Sequence, residues 1–389
     1  MGDGMSVTPL RILYDHQIFT KQTFGGVSRY YVELIGRYER QPDMEVALSV
    51  GDVRTRDLRA TRTYQQQAVE SGHLKRKVID TTRARTGVDM LYRSNQRISQ
   101  RALEKGQFDV FQPTYYDPYF LKALGEKPYY LVIYDMIHEL FPQCFQKDSR
   151  IPRWKQELVD TADAIVTISE NTRKDVIRML KVDPSKVMTV YLGNSLEPQL
   201  SRPEDVPVGL PKDFILFVGA REIYKNFGPF AEAMAQLMKE DRELHLVCVG
   251  GGRFKASEDL LLKQLLIGER THQMDLSDQS LCQTYMRAKA FVFPSLYEGF
   301  GLPVVEAFAC GCPAVLSNTS SLPEIGGEAA AYFDPTDEGS IAKAVESVIL
   351  DEDRRQKMIG EGLERAKTFD WDRTADQTKE IYLGLAGRL

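Results

Sequence analysis

Short runs of β-branched and apolar residues alternate with longer amphipathic stretches along the whole chain, and this alternation constrains the fold most. Such a rhythm is typical of parallel sheets whose strands are connected by helices, so an α/β protein is expected. The predicted strands are residues 11–14, 45–50, 109–112, 129–134, 164–168, 187–191, 214–218, 244–249, 291–294, 313–316 and 330–333.

A segment without periodicity divides these strands into two sets. Residues 194–213 hold four prolines, which predicts a linker. A chain of 389 residues is also too long for one ordinary core. We therefore expect two doubly wound domains, residues 1–200 and 201–371, with a ligand-binding cleft between the carboxyl ends of their strands.

The composition excludes several classes of protein. The net charge of −5 argues against nucleic-acid binding by the whole chain. Five scattered cysteines lack zinc-site spacing and favour a reducing compartment over a disulfide framework. No apolar run approaches the roughly 18 residues that cross a bilayer. The first residues, MGDGMSVTPLR, lack the features of a signal peptide, so a cytoplasmic protein is predicted.

One segment differs in charge from the rest of the chain. Residues 51–107 carry a marked excess of basic over acidic side chains. Two interpretations stay open: the cations cover solvated helix faces, or they form a surface for anionic lipid head groups or a phosphorylated acceptor. The basic residues are Arg54, Arg56, Arg59, Arg62, Lys75, Arg76, Lys77, Arg83, Arg85, Arg93, Arg97, Arg101 and Lys105.

The stretch YEGFGLPVVEAFACGCP, residues 297–313, predicts a strand-to-helix loop with an anion site. Pro303 suits the first turn of a helix, and Gly311 suits a left-handed cap at its end. Gly299 and Gly301 allow close approach of a ligand to the backbone. The amides of residues 300–302 should then converge at the positive end of the helix, where a phosphate binds well.

Two glutamates flank this predicted anion site, namely Glu298 and Glu306. Carboxylates accept strong hydrogen bonds from hydroxyl groups, so each glutamate is expected to contact a neutral, hydroxyl-rich part of the ligand. A phosphate between two polyols describes a nucleotide sugar. A hydrolase that uses the two carboxylates as acid and base is the nearest competing interpretation.

Residues 293–335, FPSLYEGFGLPVVEAFACGCPAVLSNTSSLPEIGGEAAAYFDP, closely resemble the retaining glycosyltransferases of family 4, whose signature is two glutamates separated by seven residues. The resemblance extends over nearly the whole chain. It implies the GT-B fold of two Rossmann-like domains, with a C-terminal helix, residues 372–389, packing back on the first domain. It also implies that Glu298 contacts the transferred sugar and Glu306 the ribose, while the amides of Phe300, Gly301 and Leu302 receive sugar hydroxyls and phosphate.

Further motifs match the same family. Arg221 and Lys225, in FVGAREIYKNF, resemble its basic pair; four residues apart, both are expected to face the cleft and stabilise the departing diphosphate. Gly25 and Gly26 match its first-domain glycine turn, which caps the diphosphate. Gly251 belongs to GGGRF, which resembles the loop beside the nucleotide base. Arg29, just after the glycine turn, is expected to face either the cleft or solvent, and solvent is favoured.

One position departs from the family pattern. Many relatives have a histidine before an aspartate where this chain has Tyr134 before Asp135, and the nearby histidine here is His138. Tyr134 is expected to donate a hydrogen bond to a sugar hydroxyl, although it cannot act as a near-neutral acid or base. His138 is either a loop residue that reaches the cleft or a structural side chain. Ser169 is predicted as a helix N-cap.

The resemblance implies transfer of a hexosyl group from a nucleoside diphosphate sugar to a hydroxyl of a glycan, or of a glycan on a polyprenyl diphosphate carrier, with retained configuration. Mannosyl transfer is slightly favoured over glucosyl transfer, and the expected setting is surface polysaccharide synthesis at the inner face of the plasma membrane. No metal or cofactor is expected, because the basic pair and the helix terminus can stabilise the leaving diphosphate. Two further interpretations stay open, a nucleotide-sugar epimerase and a non-catalytic sugar-binding protein.

Overall fold

A computed structural model describes residues 8–70, 85–147 and 149–388 of the chain. Its first half contains two three-stranded parallel sheets, with the orders β2–β1–β3 and β4–β5–β6. A parallel bridge between Phe111 and Tyr129 joins them into one continuous layer. These strands are β1 (Leu10–Tyr14), β2 (Met44–Leu48), β3 (Val110–Gln112), β4 (Tyr130–Ile133), β5 (Ala164–Thr167) and β6 (Val187–Thr189).

The second half forms a six-stranded parallel sheet. Its strands are β7 (Phe214–Val218), β8 (His245–Val249), β9 (Thr271–Met274), β10 (Ala290–Phe293), β11 (Ala314–Ser317) and β12 (Ala330–Phe333). The spatial order is β12–β11–β10–β7–β8–β9, so the direction of winding reverses between β7 and β10. Such a switch point, at the carboxyl ends of the strands, is where doubly wound sheets bind their ligands.

The predicted strands agree with the observed ones to within two residues at either end. The exception is β9, Thr-His-Gln-Met, which the sequence analysis missed. This strand is at the edge of the sheet, pairs with β8, and has three half-buried side chains, so it lacks a continuous apolar run.

Helices connect the strands and cover the sheets. In the first half they are α1 (Gln17–Lys21), α2 (Gly26–Tyr38), α3 (Arg62–Glu70), α4 (Arg85–Lys105), α5 (Leu121–Leu124), α6 (Ile137–Leu140), α7 (Ile151–Thr161) and α8 (Glu170–Leu180). In the second half they are α9 (Phe227–Glu240), α10 (Ala256–Gln264), α11 (Asp278–Arg287), α12 (Leu302–Ala309), α13 (Leu322–Gly326), α14 (Glu338–Ile349), α15 (Glu352–Ala366) and α16 (Trp371–Leu385). The predicted domain boundary at residues 200 and 201 falls between β6 and β7. No helix within the described ranges is long and apolar enough to cross a membrane.

The last helix, α16, returns to the first half of the chain as predicted. Tyr38 on α2 donates a hydrogen bond to the Ala375 carbonyl at 2.9 Å. The hydroxyls of Tyr14 on β1 and Tyr382 on α16 lie 3.1 Å apart. These buried contacts tie α16 to the core of the first domain.

Candidate functional site

The loop after β10 leads into α12 as the sequence predicts. Gly301 precedes the helix with φ of 108°, a left-handed conformation that favours glycine. Gly311 follows the helix with φ of 65° and provides the predicted cap. Among the described residues, no oxygen accepts a hydrogen bond from the amides of residues 300–302. The start of α12 therefore offers unpaired donors at its positive end.

The first-domain glycine turn lies opposite this helix start. A Cβ added to Gly26 would come 3.2 Å from Leu302 Cδ1, so α2 and α12 begin side by side across the cleft. Gly25 precedes α2 and provides no side-chain cap. The structure thus places Gly26 beside Leu302, so the N-termini of α2 and α12 are neighbours, and Gln22 Oε1 accepts a hydrogen bond from the Ser28 amide at the start of α2. An anion between them would interact favourably with both.

Gly299 lies where the two domains contact each other. A Cβ at this position would lie 1.8 Å from the carbonyl oxygen of Tyr134. The Gly299 carbonyl also accepts hydrogen bonds from Ser169 Oγ at 2.7 Å and Thr172 Oγ1 at 3.2 Å. The space at Gly299 is therefore occupied by the first domain, whereas the sequence analysis expected a ligand there.

Ser169 is the N-cap of α8, as predicted, because its Oγ accepts a hydrogen bond from the amide of Thr172. Its second bond, to Gly299, connects the two domains and was not predicted. The carboxylate of Glu324, from α13 of the second domain, accepts hydrogen bonds from the amides of Glu170 and Asn171 at 2.7 and 3.0 Å. The start of α8 is thus held by both domains.

Glu298 and Lys225 form an ion pair at the switch point. Lys225 follows β7 at the end of a short 3₁₀ turn, and its Nζ lies 2.6 Å from Glu298 Oε1. Both side chains are largely buried, with exposed fractions of 14% for Lys225 and 10% for Glu298. The predicted sugar-binding carboxylate and the predicted phosphate-binding lysine therefore lie in direct contact.

Arg221 does not face the cleft beside Lys225. The prediction that both cations of the pair face the cleft is therefore wrong. Its guanidinium is buried, lies 3.0 Å from Glu258 Oε2, and donates to the carbonyls of residues 250–253. A buried arginine needs such partners for its several donors, and the glycine loop provides them. Gly251, with φ of 70°, leaves no room for a Cβ, which would lie 2.9 Å from Arg221 Nη1.

A cavity of about 620 Å³ lies beside this glycine loop. Arg253 and Phe254 from the loop line it together with Thr271, His272 and Met274 from β9. The loop was predicted to border the nucleotide base, but the β9 residues were missed because β9 itself was not recognised. The sequence Thr-His-Gln-Met shows no polar–apolar alternation, so it carried no strand signal.

Glu306 lies one turn into α12 and has an exposed fraction of 8%. Burial raises the pKa of its carboxyl group, and the neighbouring Asp278 adds to the rise. Arg29 opposes this rise from the first domain, since its Nη1 lies 3.5 Å from Glu306 Oε1. The expectation that Arg29 faces solvent is therefore wrong. The Tyr285 hydroxyl donates to Glu306 Oε2 at 3.5 Å.

Tyr134 is not available to a sugar hydroxyl, so its predicted role is wrong. Its side chain is buried, and its hydroxyl donates to the hydroxyl of Tyr31 at 2.7 Å. Burial raises the pKa of Tyr134 well above its usual range. The ring finds space among Tyr30, Tyr31 and Tyr116 in the first-domain core, which is why it points away from the cleft.

His138 lies on α6 and stacks on Phe145, with ring centroids 3.8 Å apart. Burial and the positive charge of Lys155 lower the pKa of His138 to about 4. The imidazole is therefore neutral near pH 7. His138 lines a cavity of about 400 Å³, so its ring packs on Phe145 and also borders solvent.

The described part of the chain contains no group of three or more histidine, cysteine, aspartate or glutamate residues arranged to hold a metal ion. The expectation that no metal is needed stays a prediction.

Comparison with known proteins identifies the second domain. Residues 202–365 match the family model described as glycosyl transferases group 1. The O-antigen chain mannosyltransferase B of Escherichia coli is 32% identical over 237 residues, which is 58% of this chain and 62% of that protein. The chain thus spans less than two thirds of this relative's length.

Solved structures match the complete architecture. Sucrose-phosphate synthase from Thermosynechococcus elongatus superposes with a TM-score of 0.71 at 18% identity, covering 98% of this chain and all of that one. Anabaena Alr3699/HepE in complex with UDP-glucose superposes with a TM-score of 0.70 at 16% identity, covering 96% of this chain and 99% of that one. The predicted GT-B fold is therefore confirmed, and residues 202–365 are similar to the glycosyl transferases of group 1.

Proposed function

We propose that this protein transfers a hexosyl group from a nucleoside diphosphate sugar to a hydroxyl of a glycan or of a lipid-linked glycan. One observation supports this most: the unpaired amides at the start of α12 face the glycine turn of α2, and a buried carboxylate lies on either side. This arrangement accommodates a diphosphate between two polyols. The mannosyltransferases among the relatives favour a mannosyl donor.

In this proposal the diphosphate lies between the starts of α2 and α12. Glu298 accepts hydrogen bonds from the sugar, and Glu306 accepts them from the ribose. Lys225 moves from Glu298 towards the phosphate as negative charge develops on the leaving group. The bond from the anomeric carbon to the diphosphate breaks, and the acceptor hydroxyl bonds to that carbon from the same face, so the configuration is retained. The departing diphosphate takes the proton of the hydroxyl, so no protein base is needed.

Thermal-shift titration against GDP-mannose, UDP-glucose and the free nucleotides tests the donor. A ligand that binds the folded state raises the melting temperature with concentration by mass action. One nucleotide sugar should raise it more than its free nucleotide does, and turnover with that donor should yield a retained linkage by NMR. If no nucleotide sugar raises it, or free sugar is the main product at every acceptor concentration, the proposal is wrong.

We also propose that turnover needs no divalent metal, because the two helix termini and Lys225 stabilise the diphosphate. Initial rates with the identified donor should be equal in EDTA and in added Mg²⁺ or Mn²⁺. A loss of more than tenfold in EDTA that Mg²⁺ or Mn²⁺ restores would contradict this.

The basic segment of the first domain supports peripheral contact with the cytoplasmic face of an anionic membrane. Arg93, Arg97, Arg101 and Lys105 lie four residues apart along α4, and all are exposed. They therefore form one positive ridge. The predicted Lys75, Arg76, Lys77 and Arg83 lie outside the described residues.

At low salt the protein should sediment with phosphatidylglycerol vesicles but not with phosphatidylcholine vesicles; equal sedimentation with both would contradict the proposed membrane contact.

A further inference from the structure

Arg29 reaches from the first domain to two carboxylates of the second. It lies in the first turn of α2, and its Nη2 contacts Asp278 Oδ1 and Oδ2 at 3.2 and 3.1 Å. Its Nη1 lies 3.5 Å from Glu306 Oε1. The exposed fraction of its side chain is 25%, so the guanidinium is mostly enclosed between α2, α11 and α12.

The position follows from how the two helices meet. Gly26 on α2 lies against Leu302 on α12. Arg29 comes three residues after the first of these, and Glu306 comes four residues after the second. Because residues three or four apart share one helix face, both side chains point along the same seam.

Glu306 depends on this contact for its charge. Its other close neighbours are Asp278, which repels a second negative charge, and the neutral hydroxyl of Tyr285, both from α11. The thiols of Cys282 on α11 and Cys310 at the end of α12 are also near. Among the described residues, Arg29 is the cation that pairs with Glu306. A buried carboxylate without such a partner takes up a proton more readily.

We propose that Arg29 is a positioning residue of the donor site, which holds Glu306 charged and oriented towards the cleft from the opposite domain. The inference rests on the proposed function, because the ribose is the intended partner of Glu306. An ionised carboxylate can accept one strong hydrogen bond at each oxygen from the two ribose hydroxyls, whereas protonation turns one of these oxygens into a donor. The donor site is then complete only when α2 contacts α11 and α12 as in this structure.

A matched control separates this role from that of an ordinary ion pair. Arg37 lies on the same helix and pairs with Glu33 and with Asp372 of α16 at 2.6 Å each. Its side chain has an exposed fraction of 20%, close to that of Arg29, but its partners lie outside the cleft. Arg37→Met therefore removes a similar pair without touching Glu306.

The test measures the dissociation constant of the identified nucleotide sugar by calorimetry between pH 5.5 and 8.5. Wild type and Arg37→Met should show nearly equal profiles that are flatter than that of Arg29→Met. The Arg29→Met variant should bind the nucleotide sugar about tenfold more weakly at pH 7.5, because Glu306 loses its charged partner. It should weaken further as the pH falls, because Glu306 takes up a proton. Arg29→Lys should restore part of the affinity and most of the flatter profile.

A second measurement follows Glu306 directly and requires no ligand. In protein labelled with ¹³C at the glutamate carboxyl groups, the Glu306 signal, assigned through Glu306→Gln, should titrate at higher pH in Arg29→Met than in wild type. An unchanged Glu306 titration, or an unchanged donor profile in Arg29→Met with only a lower melting temperature, would overturn the inference. If wild type binds no nucleotide sugar while the Glu306 titration still shifts, the proposed function fails and the donor role of Arg29 fails with it.

Discussion

Arg221 and Lys225 lie four residues apart, yet the protein holds them very differently. Arg221 is enclosed by Glu258 and by the carbonyls of the glycine loop. Lys225 forms an ion pair with Glu298 at the edge of the cleft. Arg221 therefore shapes the loop that borders the predicted base pocket, whereas Lys225 is free to exchange its carboxylate for a phosphate.

Alanine at these two positions should therefore give different results. Arg221→Ala removes the cation that pairs with buried Glu258, to which the Lys255 amide still donates, and should lower the free energy of unfolding by about 3–5 kcal/mol. Lys225→Ala likewise removes the cation from the largely buried Glu298 and should destabilise the protein, but in addition it should lower kcat/KM at least roughly tenfold, since a charged hydrogen bond contributes about 1.5–3 kcal/mol. Urea unfolding and steady-state kinetics measure the two effects.

Lys289 provides the control for Lys225. It pairs with Asp213 at 3.0 Å, before β10 and β7 begin, at the edge of the sheet opposite the cleft. Lys289→Ala should leave kcat/KM unchanged. A loss of activity in Lys289→Ala equal to that in Lys225→Ala would show that the proposed phosphate role is wrong.

His16 predicts a pH dependence of stability. It is fully buried between Tyr92 and Tyr119, and burial lowers its pKa to about 4 despite the nearby Asp15 and Asp117. The unfolded chain binds a proton near pH 6.5, so the native state loses stability as the pH falls from about 6.5 to about 4. The loss is on the order of 3 kcal/mol, at about 1.4 kcal/mol per pH unit.

His16→Phe keeps an aromatic ring but cannot take up a proton. Urea unfolding of this variant between pH 7.5 and 4 should show a shallower decline than that of wild type. Parallel declines of the two proteins would contradict the neutral state of buried His16.

At the scale of elements, the start of α8 and the loop after β10 form the best-defined contact between the two halves. Ser169 and Thr172 bind the Gly299 carbonyl, and Glu324 binds the first amides of α8. Tyr297 donates a further hydrogen bond to Asp175 at 2.8 Å. Because this loop continues into α12, the same contact fixes the predicted sugar and phosphate positions.

Gly299→Ala should disrupt this contact. The added Cβ meets a backbone oxygen at 1.8 Å, so the domains must move apart. Turnover should fall by at least tenfold, and the melting temperature should fall as well. Gly360→Ala on α15 is the control, since no atom lies within 4 Å of its Cβ; it should stabilise the helix by roughly 0.5–1 kcal/mol and leave turnover unchanged. Normal turnover in Gly299→Ala would contradict the role of this contact.

The elements themselves were largely predictable, because local patterns determine them. The buried strands, the start of α12 near Pro303 and the N-cap Ser169 depend on neighbouring residues. The partners of Arg29 and Tyr134 depend on residues far away in the sequence, and one sequence gives no information on such contacts. Tyr134 also follows the end of β4, where alternation no longer determines the direction of a side chain.

At the scale of the whole molecule, the second domain provides Glu298, Glu306 and the start of α12, while the first provides the glycine turn and Arg29. Neither domain contains the complete arrangement. The sequence analysis named Glu298, Glu306 and residues 300–302 of the second domain, because they lie in one contiguous motif. It predicted less of the first domain, whose contribution depends on how the domains pack.

A crystal structure of the complex with the identified nucleoside diphosphate sugar tests the central claim most directly. The diphosphate should lie within hydrogen-bonding distance of the amides of residues 300–302 and of the turn at Gly25 and Gly26. Lys225 should then contact a phosphate oxygen, and Glu306 the ribose. A diphosphate bound elsewhere, with the starts of α2 and α12 empty, would contradict the account.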